Sequence, residues 1–136
     1  MKQRIEQKII VDTSVWIDYF KNDTDTARII DEGLDANKIY LVGPVISELL
    51  QGVKSDKELS LLLKYIDAIP YLECGMKEWI DAGCISMSLR KSGITLPLTD
   101  IIISAIAKNN DAVIFTKDKH FSCIPDIRLF QLNNPR

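Results

Sequence analysis

The sequence predicts one α/β domain, a parallel sheet with helices on both faces. Three observations point there. Short apolar segments, KIIVDT at 8–13, IYLV at 39–42 and AVIFT at 112–116, have the composition of strands covered on both sides. Between them, apolar residues recur three and four apart, the spacing of helices that lay one face on a sheet. No repeat or low-complexity linker interrupts the 136 residues, so 1–136 reads as a single domain of ordinary size.

The elements follow in order. KIIVDT is the first strand. Ser14 then caps a helix through VWIDYFK, with Trp16 and Phe20 four apart on one face. A second helix covers about 23–36, opened by Asp23 or Thr24 and striped by Ala27, Ile30 and Leu34. IYLV is the second strand. Gly43-Pro44 marks the next turn, and proline is tolerated in a first helical turn, so a helix runs on through Val53. Ser55, with Glu58 three residues later, forms a capping-box pattern for a helix to Ile69 striped by Leu59, Leu62, Leu63 and Ile66. YLEC at 71–74 is a weak strand signal. MKEWIDAGCISMSLRKSG reads as a long helix stopped at Gly93, with Arg90 and Lys91 in the last turn, where the macrodipole favours cations. Leu96-Pro97-Leu98 connects to the most apolar helix, IIISAIAKN, capped by Thr99 or Asp100. AVIFT follows, and IRLFQL at 127–132 makes a final edge strand.

Bulk properties narrow the function classes. The net charge of −2 argues mildly against non-specific nucleic-acid binding, although Lys54, Lys57, Arg90, Lys91, Lys117 and Lys119 are locally basic. Solvated faces are the ordinary use of such lysines. Cys74, Cys84 and Cys123 are odd in number, widely spaced and free of any C-x-x-C pattern, which suggests neither a disulfide framework nor a zinc site. No apolar run approaches a membrane span, and the charged start MKQRIEQKIIV has no signal-peptide h-region, so a cytoplasmic location is expected.

The chemical signal lies in four acids at the boundaries of apolar segments: Asp12 closing KIIVD, Glu48 within GPVISELLQG, Asp100 opening TDIIISAIA, and Asp118 just past AVIFT. Singly, each has an ordinary use as a cap, a turn residue or a solvated acid. Glu48 and Asp100 lie on helices whose polar faces are narrow. Asp12 and Asp118 follow predicted strands, and ligands of parallel sheets bind beyond the carboxyl ends of strands. Carboxylates gathered at the rim of a core repel one another unless a cation compensates. Hard oxygen donors with no His or Cys partner indicate Mg²⁺ or Mn²⁺.

Taken jointly, IIVDTSVWIDYF, ISELLQG, LTDIIISAIA and FTKDKHF resemble the PIN domain, and within it the small VapC-type toxins of toxin–antitoxin pairs, from about Lys8 to Leu132. The resemblance implies about five parallel strands and an Mg²⁺- or Mn²⁺-dependent endoribonuclease whose acids match Asp12, Glu48, Asp100 and Asp118. On that basis Asp12 is the expected central ligand, because strand ends are rigid. Asp100 and Asp118 complete the shell, and Glu48 holds a water at the metal or acts as general base. Thr13, Ser14 and Thr116 match the family's hydroxyl positions beside the pocket, although capping and turn formation would also account for them. The resemblance further implies cleavage of tRNA or rRNA loops to 5′-phosphate and 3′-hydroxyl ends, a homodimer, and a cognate antitoxin whose tail lies in an apolar groove and sends an Arg into the pocket. Trp16, Phe20 and Trp79 are candidates for that groove or for the dimer face, with core packing their ordinary use. One departure stands out: many relatives carry an acid where this chain has His120, its only histidine, expected here to be a solvated turn residue rather than a ligand or a catalytic acid.

Two rivals differ in kind. A receiver-like phosphoacceptor module, also α/β with an Mg²⁺ pocket, wants paired acids after its first strand, but Asp12 is followed by Thr13. A non-enzymatic interaction module would keep the fold without the full set of acids. P-loop chemistry is excluded by the lack of a Gly-rich phosphate loop.

Overall fold

The computed structural model describes residues 6–130. The order is β1 (Lys8–Val11), α1 (Thr13–Phe20), α2 (Thr24–Asp35), β2 (Ile39–Tyr40), α3 (Gly43–Gln51), α4 (Asp56–Ala68), α5 (Met76–Lys91), α6 (Leu98–Asn109), β3 (Ala112–Phe115), a 3₁₀ turn (Lys119–Cys123) and β4 (Arg128–Leu129). The strands form one parallel sheet in the order β2-β1-β3-β4. The chain leaves β1 for one neighbour and later returns to its other side, so the switch point lies between the carboxyl ends of β1 and β3.

The sheet has four strands among the described residues, not the five expected. YLEC contributes a single parallel bridge, Leu41 to Tyr71. The Leu41 N–H donates to Pro70 O and its carbonyl accepts from the Leu72 N–H, at 2.8 and 2.9 Å. Pairing stops there, since Gly75 already caps α5. The final strand is shorter than IRLFQL, whose residues 131 and 132 lie outside the described part.

All four β3 side chains are buried, so both faces of the sheet are covered. The core joins Ile9, Ile10 and Val11 with Ile114 and Phe115 of the sheet, Trp16 of α1 and the isoleucines of α6. Two caps match the sequence: Asp23 accepts from the Thr26 N–H on α2, and Ser55 accepts from the Glu58 N–H on α4. Two do not. Asp12, not Ser14, holds the cap position of α1, and Pro97 holds that of α6, neither with a side-chain cap bond. The Pro97 carbonyl accepts the Asp100 and Ile101 N–H groups, which leaves Asp100 inside the first turn of the helix and not at its cap.

The α4 stripe is a further correction. Leu62 is buried, but Leu59 and Leu63 are exposed. The expected periodicity is present, but α4 packs through one narrow line, mainly against α3. Trp79 is also exposed, at 53%, whereas Trp16 is a core residue at 1%. Among the described residues, no helix is long and apolar enough to cross a membrane.

Candidate metal centre

Asp12 follows β1 directly, and its N–H bonds Phe115 O at 2.9 Å, extending the β1–β3 ladder by one rung. Its carbonyl accepts the Val15 and Trp16 N–H groups and starts α1. The backbone is therefore held on both sides, and the side chain is 6% exposed. Two hydroxyls donate to the same carboxylate oxygen, Oδ2: Ser14 at 3.0 Å and Thr116 at 2.8 Å. Each hydroxyl is oriented in turn by a backbone N–H, Ser14 Oγ by Lys117 at 3.2 Å and Thr116 Oγ1 by Asp118 at 2.9 Å. These relays tie the end of β1 to the loop after β3. The three hydroxyl residues are thus neither helix caps nor plain turn residues: Ser14 and Thr116 grip Asp12, and Thr13 Oγ1 donates to Glu48 Oε1 at 2.8 Å.

Asp100 lies in the first turn of α6, where the helix macrodipole favours an anion, and is 8% exposed. Burial pushes its pKa up, the His120 hydrogen bond pulls it down, and the nearby Asp118 and Asp12 charges push it up again. Asp118 caps the 3₁₀ turn by accepting the His120 N–H at 2.9 Å. That turn is anchored by Phe121, which is fully buried.

The sequence reading of His120 as a solvated turn residue is half right. Its side chain is 48% exposed, yet Nδ1 stands 3.0 Å from Asp100 Oδ2 and 3.2 Å from Asp118 Oδ1. Asp100, Asp118 and His120 each present one donor atom, all within 4.8 Å of one another. A tight turn two residues beyond Asp118, locked by the following Phe, is the sequence feature that carries His120 there.

The expected acids do not all converge equally. Asp12 stands outside that trio, but it acts on Asp100 through its charge and is tied to Asp118 through Thr116. Glu48 is half-buried on α3 and joins the site through Thr13. Lys117 does not neutralise the trio: its ammonium pairs with Asp18 and reaches Asp23 at 4.0 Å. Two buried carboxylates, a third half-exposed one and an imidazole make a donor set that fits a divalent cation.

Comparison with known proteins places residues 9–126 in the PIN domain. Ribonuclease VapC11 of Mycobacterium tuberculosis is 29% identical to this chain over 132 residues, covering 90% of it and 96% of the relative. Ribonuclease VapC1 of Methanocaldococcus jannaschii is 28% identical over 128 residues, covering 93% and 88%. Among solved structures, DNA-bound VapBC from Salmonella typhimurium matches with a TM-score of 0.81 at 22% identity, covering 92% of this chain and 98% of that one. VapBC2 from Rickettsia felis, bound to a fragment of promoter DNA, matches at 0.79 with 18% identity and the same coverages, 92% and 98%. At these identities the structural matches speak to the fold.

Proposed function

This chain belongs to the PIN domain family, and on that premise we propose that it is a Mg²⁺- or Mn²⁺-dependent endoribonuclease, the toxin of a toxin–antitoxin pair. The relatives named as VapC ribonucleases support this reading. The observation that carries it is the gathering of Asp100, Asp118 and His120 donor atoms within 4.8 Å of one another, with Asp12 tied to Asp118 through Thr116. Burial first, then the Asp118 and Asp12 charges, push the Asp100 pKa up, a cost that a bound cation would relieve.

When bound, the cation would polarise a phosphoryl oxygen and lower the pKa of a water. Asp12, Asp100 and Asp118 are the residues that would hold it. Two hydroxyls on Oδ2 fix the Asp12 carboxylate, so its orientation is set before substrate arrives. Glu48 is the general base. Thr13 occupies its Oε1, which leaves Oε2 to take the proton of the attacking water. Cleavage leaves a 5′-phosphate and a 3′-hydroxyl. Single-stranded loops of tRNA or rRNA are the substrate class, because an unpaired strand can present its backbone to a recessed site.

The partners are proposed from surfaces. A groove of about 510 Å³ runs between α1, α3 and α4, lined by Ile17, Phe20, Leu49, Val53 and Leu61, with Glu48 on its wall. An apolar segment of a cognate antitoxin lying there would reach the acidic site, and an Arg on it would pair with the carboxylates. Met76, Trp79, Ile80 and Met87 are exposed along α5 at helical spacing and supply a homodimer face. The protein acts in the cytoplasm.

The test is cleavage of a structured RNA by purified protein. Cleavage should require Mg²⁺ or Mn²⁺, stop with EDTA and vanish in Asp12→Asn. Cleavage that persists in EDTA, or in the folded Asp12→Asn variant, overturns the reading.

A further inference from the structure

His120 lies in a position that the expected chemistry leaves unused. Its Nδ1 does not point at one carboxylate only; it sits almost equally far from Asp100 Oδ2 and Asp118 Oδ1, at 3.0 and 3.2 Å. Two constraints hold it there. Its own N–H bonds the Asp118 carboxylate, and the next residue, Phe121, is fully buried. The imidazole is thus delivered by a short turn pinned at both ends rather than by a free surface side chain. An atom held between two carboxylate oxygens occupies the place of a third donor to a cation that those oxygens share.

Taking the metal-dependent reading above as its basis, we propose that His120 Nδ1 is itself a metal ligand, and that this nitrogen makes the site select Mn²⁺ over Mg²⁺. The physical reason is donor hardness. Mg²⁺ takes oxygen ligands and gives up its waters reluctantly. Mn²⁺ keeps the same affinity for carboxylates and stands at the weak end of the first-row series, but it is softer than Mg²⁺, releases its waters more readily and so accepts one imidazole beside the carboxylates. With an acid at position 120 the set would be all oxygen and would hold either ion. With His120 the set is the carboxylates of Asp12, Asp100 and Asp118 and one nitrogen, and the nitrogen favours Mn²⁺. Ligation uses the neutral tautomer that carries its proton on Nε2.

The sequence permits an unusually direct test, since His120 is the only histidine of the chain. Untagged protein loaded with Mn²⁺ is examined by electron spin-echo spectroscopy, once with natural-abundance histidine and once with ¹⁵N-histidine. Expected is a nitrogen modulation that changes from the ¹⁴N to the ¹⁵N pattern on labelling and disappears in His120→Ala. Calorimetry of Mn²⁺ and Mg²⁺ binding gives the second measurement. His120→Asp should lower the preference for Mn²⁺ over Mg²⁺ by about tenfold or more. Mn²⁺ bound to the native chain without histidine modulation overturns the proposal and leaves the nuclease reading standing, with His120 merely orienting the acids. An unchanged ion preference in a folded His120→Asp variant overturns it as well. If Mn²⁺ does not bind the native chain, or binds Asp12→Asn and Asp100→Asn equally well, the metal-dependent reading fails and this proposal with it.

Discussion

Thr116 follows Asp12 by 104 residues, yet its hydroxyl donates to Asp12 Oδ2 at 2.8 Å. The cause is register. Val11 pairs with Phe115 in the parallel ladder between β1 and β3, so the next residue of each strand emerges beside the other. Parallel pairing at a switch point brings the ends of distant segments to the same edge.

Replacing Thr116 with Val removes one donor to Asp12 and the acceptor for the Asp118 N–H. RNA cleavage should fall about 10–100-fold, as for residues that orient metal ligands. Stability should fall by about 1 kcal/mol, the net worth of an ordinary hydrogen bond. Thr116→Ser should recover most of both. Assays of cleavage and thermal melts of the two variants check this, and a Val variant as active as the parent would show that the relay is idle.

Asp100 makes the metal-free protein sensitive to pH in a defined direction. Burial first, then the Asp118 and Asp12 charges, raise its pKa against the pull of His120. A carboxyl with a raised pKa holds its proton more tightly in the folded state. Its contribution is therefore present at low pH and is lost as pH rises from the unfolded value through the folded one. Asp100→Asn stays neutral and avoids that loss. In EDTA its melting temperature should exceed that of the parent at neutral pH, and the gap should narrow as the solution is acidified below the ordinary carboxylate range. Adding Mn²⁺ should raise the parent melting temperature and leave the variant nearly unchanged. Coincident melts in EDTA at neutral pH would contradict this account.

Thr13 and Glu48 should behave as one unit. Glu48→Gln is expected to lower cleavage by about 10²–10⁴-fold, the usual contribution of a general base. Thr13→Val acts through the same carboxylate, so it should cost far less in the Glu48→Gln background than in the native one. A double-mutant cycle on single-turnover rates measures the coupling. Simple additivity would separate the two roles.

The α5 face predicts an assembly phenotype without a fold phenotype. Trp79 and Ile80 are more than half exposed, at 53% and 58%, so Ile80→Glu should fold with a stability change within about 0.5 kcal/mol. Sedimentation analysis should show the parent as a dimer and Ile80→Glu as a monomer. A monomeric parent at micromolar concentration removes α5 as a dimer face.

Much of the frame was legible before any coordinates. Continuous apolar runs reported the strands, because a strand buried on both faces needs no polar alternation. Asp23 and Ser55 were legible as caps because capping is a local bond. Local rules failed where a neighbour in space decided. Asp100 looked like a cap, but Pro97 takes that place and releases the carboxylate towards His120. The leucines of α4 showed a helix with an apolar side. Periodicity does not say whether anything covers that side, and Leu59 and Leu63 remain exposed. YLEC likewise has enough apolar content to bridge Leu41, just past β2, but too little length before Gly75 to continue the ladder.

By itself the chain of amino acids determined the α/β frame and the order of its elements, and it singled out the acids on which the proposal rests, because burial pattern and residue type are local properties. Tertiary structure alone decided that two hydroxyls converge on one oxygen of Asp12, that Thr13 holds Glu48, and that an imidazole stands between Asp100 and Asp118. Those relationships depend on strand register and on a turn anchored by a buried ring, which are distances in space that no spacing along the chain encodes.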